Sequence, residues 1–169
     1  MNHQDEKAIH IVPFSPEYEQ DIVNLIINIQ QNEFGIAITS FDQPDLASIA
    51  SYYQNYCGNF WVATVDKHVV GTIALLDIGN HCAALRKMFV DSSYRGRHFG
   101  IASKLLETLL AWSRHHALNK IYLGTTQKFI AAHKFYDKNG FIRVMKSELP
   151  KSFPVMAVDT VFYKYSIVK

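Results

Sequence analysis

The sequence predicts an α/β (α+β) domain in which helices flank a single mixed, mostly antiparallel twisted sheet of about six to seven strands. Two apolar, β-rich runs, Phe60–Val65 and Val69–Ile78, are joined by a short polar turn and predict an antiparallel hairpin. A further strand-like run, Ala83–Val90, precedes an amphipathic pattern that begins near Gly100 and predicts a long helix. Because 169 residues with 49% hydrophobic composition can close one sizeable core but not two, residues 1–169 are assigned to a single domain.

Local signals place the other elements in chain order. Ala8–Val12 predicts the first strand, and Ser15-Pro16-Glu17 predicts an N-cap with proline in the first turn of a helix that runs toward Gln31. A short helix is predicted from Asp42 through about Tyr53. Later strands are predicted at Lys120–Gly124, Phe141–Val144 and Thr160–Ile167.

Composition and charge give no indication of a nucleic-acid-binding, metal-binding or membrane protein. The formal charge of +2 and the scattered basic residues give no reason to expect nucleic acid as a partner. Cys57 and Cys82 lack metal-ligand spacing, which predicts two reduced thiols and no metal site. Met1–Lys7 is polar and no run of about eighteen apolar residues follows, so we expect a cytoplasmic protein that does not enter a membrane. A homodimer is left open.

The segment Arg97–Ala102 lies between a predicted strand and a predicted helix, where an anion can bind. Main-chain N–H groups in the first turn of a helix have no intrahelical acceptor, and the helix dipole adds about half a positive charge there. A P-loop is excluded because Lys104 lies too far beyond Gly100, and the dinucleotide-binding glycine pattern is absent. The predicted phosphate contacts are Arg95, Gly96, Arg97, His98, Phe99, Gly100, Ile101 and Ala102.

A second pattern lies about thirty residues further on, at Ala131–Phe141. One helical face combines the apolar or aromatic residues Phe129, Ala132, Phe135 and Tyr136. Asn139-Gly140 then predicts a left-handed helix end. His133, which is followed by Lys134, is expected on the solvated face of this helix.

The two patterns, Arg-x-x-Gly-x-Ala and Ala-x-x-Phe-Tyr-x-x-x-Gly-Phe, resemble the acyl-CoA loop and the following helix of the GNAT superfamily of acetyltransferases. The resemblance is specific over roughly Ala83–Phe141. It implies the acyl-CoA N-acyltransferase fold, acetyl-CoA as cosubstrate, and strands four and five that splay apart. The family's usage further implies main-chain contacts to the cofactor arm at Met88, Phe89 and Val90.

The implied reaction is attack of an amine on a thioester, which needs a neutral amine, a donor for the developing oxyanion and a proton for the leaving sulfur. Tyr136 occupies the position where the family commonly places its general acid. No carboxylate stands at Ala83-Ala84-Leu85, where many relatives carry a glutamate, so either a water chain or Glu33 removes the amine proton. Phe129 replaces a common asparagine, and Thr125 or Thr126 is expected to make that cofactor contact instead.

The acceptor is expected to be a small-molecule amine or a peptide amine. Its pocket is predicted from two variable segments, Phe34–Asp45 and Lys151–Val158, which combine apolar residues with a few carboxylates. A non-catalytic domain that binds acyl-CoA as a regulatory signal is the alternative, because the usual carboxylate of strand four is missing. A small nucleotide-binding module is a third interpretation, but it does not account for the helix that carries Tyr136.

Overall fold

The computed structural model describes residues 7–167 and contains a seven-stranded sheet. The strands are β1 (Ile9–Pro13), β2 (Asn59–Val65), β3 (His68–Gly79), β4 (Cys82–Val90), β5 (Lys120–Thr125), β6 (Ile142–Val144) and β7 (Val161–Ser166). The α-helices are α1 (Glu19–Ile27), α2 (Ile49–Tyr53), α3 (Ile101–His115) and α4 (Ile130–Lys138). A π-helical segment, Asn28–Glu33, continues α1.

The strands are ordered β1-β2-β3-β4-β5-β7-β6 across the sheet. Neighbouring strands are antiparallel except β4 and β5, which are parallel. The predicted mixed, mostly antiparallel sheet is therefore confirmed, including the hairpin of β2 and β3. The polar start of the chain, on which the expected cytoplasmic location depends, lies outside the described residues up to Glu6.

Helices cover both faces of the sheet. Along β2, alternate residues such as Trp61 and Ala63 pack in one cluster with Leu105 and Leu109 of α3. The intervening Val62 and its neighbours pack in a second cluster with α1 and α2. This is the alternation expected of a strand that is buried on both faces.

Two predicted helix starts differ from the structure. Ser15 makes no side-chain capping bond, and a 3₁₀ turn at Pro16–Tyr18 precedes α1. The short helix predicted from Asp42 is divided into 3₁₀ turns before α2, because Gln43 and Ser48 have non-helical backbone angles. Proline fixed the position of each first turn but did not secure a regular helix after it.

Strands β4 and β5 separate soon after they meet. They pair at three positions, the last of which is Ala84 opposite Tyr122, whereas β4 continues to Val90. Beyond Ala84, pairing on the opposite side of β4 continues with β3 and is interrupted by a bulge. At this bulge Lys87 has a left-handed φ of 53°. The splay implied by the resemblance is confirmed, and it leaves one main-chain edge of β4 open.

Candidate active site

The start of α3 carries no capping side chain. Gly100 is the N-cap residue in the left-handed conformation, with φ of 61°, and no side chain caps the helix. The Gly100 N–H donates to the carbonyl of Gly96 at 3.1 Å, which closes the preceding loop. The next main-chain N–H groups, at Ile101 and Ala102, have no intrahelical acceptor because they belong to the first turn. An oxyanion can therefore accept from them directly.

The side chains of this loop differ in their availability. Arg97 and His98 are exposed, whereas the ring of Phe99 packs against that of Tyr94 with centroids 5.4 Å apart. The Ile101 side chain is buried in the core, so only its main chain can contact a ligand. Gly96 has φ of 101°, which shapes the turn. Direct phosphate contact by this set stays a prediction.

Arg95 has partners within the protein. Its Nε donates to the carbonyl of Val90 at 2.9 Å, and its guanidinium forms a two-pronged ion pair with Glu33, with Nη2 2.8 Å from Oε2. Glu33 lies at the surface, where its side chain is 29% exposed and paired with Arg95. To act as a base, Glu33 would have to give up this ion pair.

Aromatic packing replaces the expected asparagine contact beside β4. The Phe129 ring lies edge-on to Phe34 at 4.7 Å and to Phe89 at 6.2 Å between centroids. Thr125 is buried, and its carbonyl accepts from the N–H of Thr160 at 2.8 Å. The open main-chain edge at Met88–Val90 is consequently flanked by an apolar wall.

His133 does not lie on the solvated face of α4, and that expectation is wrong. It is 9% exposed, and its Nε2 lies 2.9 Å from the carbonyl oxygen of Thr126. The Thr126 hydroxyl also accepts from the Lys128 N–H at 3.4 Å. Thr126 is thus tied to α4, and its contact with a cofactor stays a prediction.

Tyr136 is a buried tyrosine of α4. Its ring is packed between Phe141 and Tyr163, with centroids 5.4 and 5.6 Å away, and the residue is 5% exposed. Burial, reinforced by Tyr163, raises the pKa of Tyr136 above its ordinary value. The phenol is therefore protonated at neutral pH, and the raised pKa makes it a weaker acid than an exposed tyrosine.

A cavity of about 430 Å³ brings the two predicted acceptor segments together. Its lining residues are Ala37, Ile38, Asp42, Pro44, Asp45, Tyr52, Arg86, Val155, Met156, Ala157 and Val158. The aromatic residues of the two segments do not line the cavity: Phe41 is 94% exposed, Phe34 packs on Phe129, and Phe153 packs near Phe162.

A buried polar cluster beside this cavity was not predicted. The Tyr53 hydroxyl donates to Asp45 at 2.6 Å, and the Lys87 ammonium lies 3.6 Å from the same carboxylate. Lys87 also donates to the side chain of Gln43 at 2.5 Å, and Gln43 exchanges amide hydrogen bonds with Gln30. Burial, only partly offset by Asp45, lowers the pKa of Lys87 to about 8. The available signal was a pair of cations, Arg86-Lys87, within an otherwise apolar strand.

Most of the chain has close structural counterparts. A crystal structure of a GNAT-family acetyltransferase from Staphylococcus aureus Mu50 covers 95% of this chain and 100% of its own, with 41% identity and a TM-score of 0.92. A model of the acetyltransferase (GNAT) family matches residues 24–141. The chain belongs to the GNAT acetyltransferase family. An acetyltransferase structure from Streptococcus agalactiae 2603 covers 94% of this GNAT chain and 98% of its own, with 32% identity and a TM-score of 0.89.

Curated relatives match this GNAT chain over a shorter region. N-acetylaspartate synthetase of Xenopus tropicalis is 41% identical over 104 residues, which are 59% of this chain and 37% of that protein. The region shared with this relative is therefore little more than a third of its length.

The described residues show neither a membrane-spanning helix nor a cluster of metal ligands. From residue 7 to residue 167, no helix is both long enough and apolar enough to cross a membrane. The same residues contain no group of three or more His, Cys, Asp or Glu side chains suited to hold a metal ion. Cys57 and Cys82 are both free thiols.

Proposed function

We propose that this GNAT chain is an acetyl-CoA-dependent N-acetyltransferase that moves an acetyl group to a primary amine of a small molecule by direct attack on the thioester. The observation that carries the proposal is the presence of both an open edge of β4 and an uncapped start of α3, which we take as two parts of the path of the cosubstrate. A long cosubstrate with amides in its arm and phosphates at its end needs both features.

Each part of the path has a task in the proposed reaction. The first turn of α3, with Arg97 beside it, binds the pyrophosphate of acetyl-CoA. Main-chain groups of Met88–Val90 bind the amides of the arm, and an N–H of β4 donates to the acetyl oxygen as negative charge develops there.

The bond changes balance without a further reactant. The amine nitrogen forms a bond to the acetyl carbon, and the carbon–sulfur bond breaks. Tyr136 donates its proton to the departing sulfur and recovers one from solvent. The proton lost by the amine passes to water, because β4 carries no carboxylate at Ala83-Ala84-Leu85 and Glu33 is paired with Arg95.

The cavity beside β4 supports a small acceptor. Its volume of about 430 Å³ lies within the range of ordinary small-molecule sites, and both predicted acceptor segments line it. The activity named for the Xenopus tropicalis relative, synthesis of N-acetylaspartate, further supports an amino acid as one acceptor to test.

The experiment is a panel of amines assayed for acetyl-CoA-dependent release of thiol, with mass spectrometry of the acetylated product. The panel contains amino acids, simple alkylamines, polyamines and short peptides with a free α-amino group. We expect release with at least one small amine. Preference for the peptides would instead identify a peptide amine as the acceptor.

A non-catalytic acyl-CoA sensor is the second candidate, favoured by the missing carboxylate on β4. It predicts that acetyl-CoA binds in calorimetry and that no amine of the panel causes release. That combination of results would overturn the proposed transferase.

A further inference from the structure

Arg86 lies at the point where the acceptor cavity meets the open edge of β4. It is two residues beyond Ala84, the last β4 residue paired with β5, and two residues before Met88. Its guanidinium group lines the cavity together with Tyr52 and Met156. A ligand group held by Arg86 would consequently lie close to the β4 segment that is proposed to receive the acetyl end of acetyl-CoA.

The bulge in β4 turns two consecutive cations toward the same side of the sheet. In a regular strand, Arg86 and Lys87 would face opposite sides. The left-handed φ of 53° at Lys87 breaks this alternation, and the Lys87 ammonium lies 3.6 Å from Asp45, which itself lines the cavity with Arg86. Lys87, and not Arg86, therefore forms the ion pair with the buried carboxylate of Asp45.

Arg86 is held in position by neutral groups. Its Nη1 donates to the Tyr52 hydroxyl at 2.9 Å, and its Nη2 donates to the Met156 sulfur at 3.3 Å. The guanidinium carbon also lies 5.7 Å and 5.9 Å from the ring centroids of Tyr52 and Tyr53. These contacts fix the orientation of the group but supply no counter-ion.

No carboxylate of the described residues lies within 4.0 Å of the Arg86 guanidinium. An arginine has five N–H donors in a planar fork, so several remain beyond those given to Tyr52 and Met156. Burial alone would lower the pKa of Arg86, but Tyr53, Asp45 and Tyr52 raise it above its ordinary value. Arg86 is thus a charged, half-buried and oriented group with no carboxylate in direct contact, and Asp45 and Asp159 act on it only from a greater distance.

We infer that Arg86 binds a carboxylate of the acceptor, so that the preferred acceptors are amines that also carry a carboxylate, such as amino acids. This inference rests on the proposed N-acetyltransferase function. The planar fork matches a carboxylate through two parallel hydrogen bonds, which fixes both the position and the orientation of the acceptor. The carboxylate of Asp42 in the same cavity favours an acceptor that combines positive and negative charge over a simple anion.

The test compares acceptors that differ in a single carboxylate. Amino acids are paired with their α-carboxamides, and aspartate and glutamate are paired with asparagine and glutamine. Values of kcat and KM are measured for the parent protein, Arg86→Gln and Arg86→Lys, and acetyl-CoA affinity is measured in parallel. Because each ratio is taken within one protein, a change in the folded fraction cancels.

We expect the parent to prefer the carboxylate member of at least one pair by tenfold or more in kcat/KM. Arg86→Gln should remove most of that preference, mainly by raising KM for the carboxylate member, and Arg86→Lys should keep part of it. Acetyl-CoA affinity should be unchanged. Arg143→Gln is the matched control, because Arg143 also lies over a tyrosine ring, at 5.6 Å from Tyr163, but does not line the cavity.

Two results would overturn the inference but would not contradict the proposed transferase function. One is turnover by the parent with no preference within any pair. The other is a preference that survives in Arg86→Gln, which would show that Arg86 only packs against Tyr52 and Tyr53. Absence of turnover with every amine, despite binding of acetyl-CoA, would overturn the proposed function and the inference with it.

Discussion

The protonation of Lys87 should make the stability of this protein depend on pH in the alkaline range. The side chain is 3% exposed, and burial lowers its pKa from 10.5 to about 8 in the folded protein. In the unfolded chain it regains its ordinary pKa. Between these two values the unfolded chain binds more protons than the folded one, so the free energy of unfolding rises with pH.

The size of the effect follows from the two pKa values. Integrated from about pH 7 to about pH 10, the difference in bound protons corresponds to a gain of about 2 to 3 kcal/mol in the free energy of unfolding. Below the folded-state pKa of about 8 the contribution becomes flat, because both states are then protonated.

The assay is urea unfolding followed by tryptophan fluorescence, since Trp61 is buried and Trp112 partly so. The parent is compared with Lys87→Met, which is neutral at every pH, and with Lys87→Arg, which keeps a cation beside Asp45. Neither replacement titrates between about pH 7 and about pH 10. The parent should therefore gain about 2 to 3 kcal/mol relative to both variants over this range.

The comparison with two variants separates the titration of Lys87 from its packing. Packing changes shift a variant by a constant amount, whereas titration changes the difference with pH. A difference from both variants that stays constant within about 0.5 kcal/mol would refute the buried, weakly basic state of Lys87.

Three further predictions concern the proposed reaction. Gly100→Val should weaken acetyl-CoA binding by about tenfold or more in calorimetry, because a side chain is strained at φ of 61° and crowds the anion site; Gly79→Val, at φ of 85° in a distant hairpin, should leave the affinity unchanged. Tyr136→Phe should lower the chemical rate by ~10²-fold or more with little change in affinity, and a rate within about threefold of the parent would make the residue structural. Activity should rise with pH toward the pKa of the acceptor amine, and Glu33→Gln should alter the profile little; loss of transfer with retained acceptor binding would identify Glu33 as the base.

The sheet and the start of α3 were predictable because their signals are local. Alternation and a polar turn define β2 and β3, and Gly100 before an apolar periodic run defines the start of α3. The splay of β4 from β5 was predicted only from the family resemblance, because no residue of β4 indicates where its pairing with β5 ends.

His133 shows a local signal that was misread. It lies four residues after Phe129 and three before Tyr136, which is the spacing of a shared helical face. The neighbouring Lys134 suggested solvent, yet the helical period places His133 with the buried set and against Thr126. The burial of His133 thus follows the helical period and not the polarity of its immediate neighbours.

The contacts of Glu33 and Arg86 could not be predicted from the sequence, because they depend on long-range pairing and on a local distortion of a strand. Glu33 meets Arg95 across 62 positions of the chain, a pairing that no local pattern specifies. Arg86 and Lys87 share one side only because the strand bulges, and a period of two predicts the opposite.

The bulge at Lys87 links the features from which the function is proposed. A left-handed lysine costs on the order of 1 kcal/mol, and the surroundings offset it: the Thr72 hydroxyl donates to the Lys87 carbonyl at 2.6 Å, and Asp45 and Gln43 receive the ammonium. The same distortion bends β4 where its pairing with β5 has ended, and it leaves Arg86 on the cavity side with Asp45 already occupied. A regular strand would need none of these partners. We therefore attribute the strained backbone at Lys87, which lies where the two proposed binding surfaces meet, to the shape of the site and not to a gain in stability.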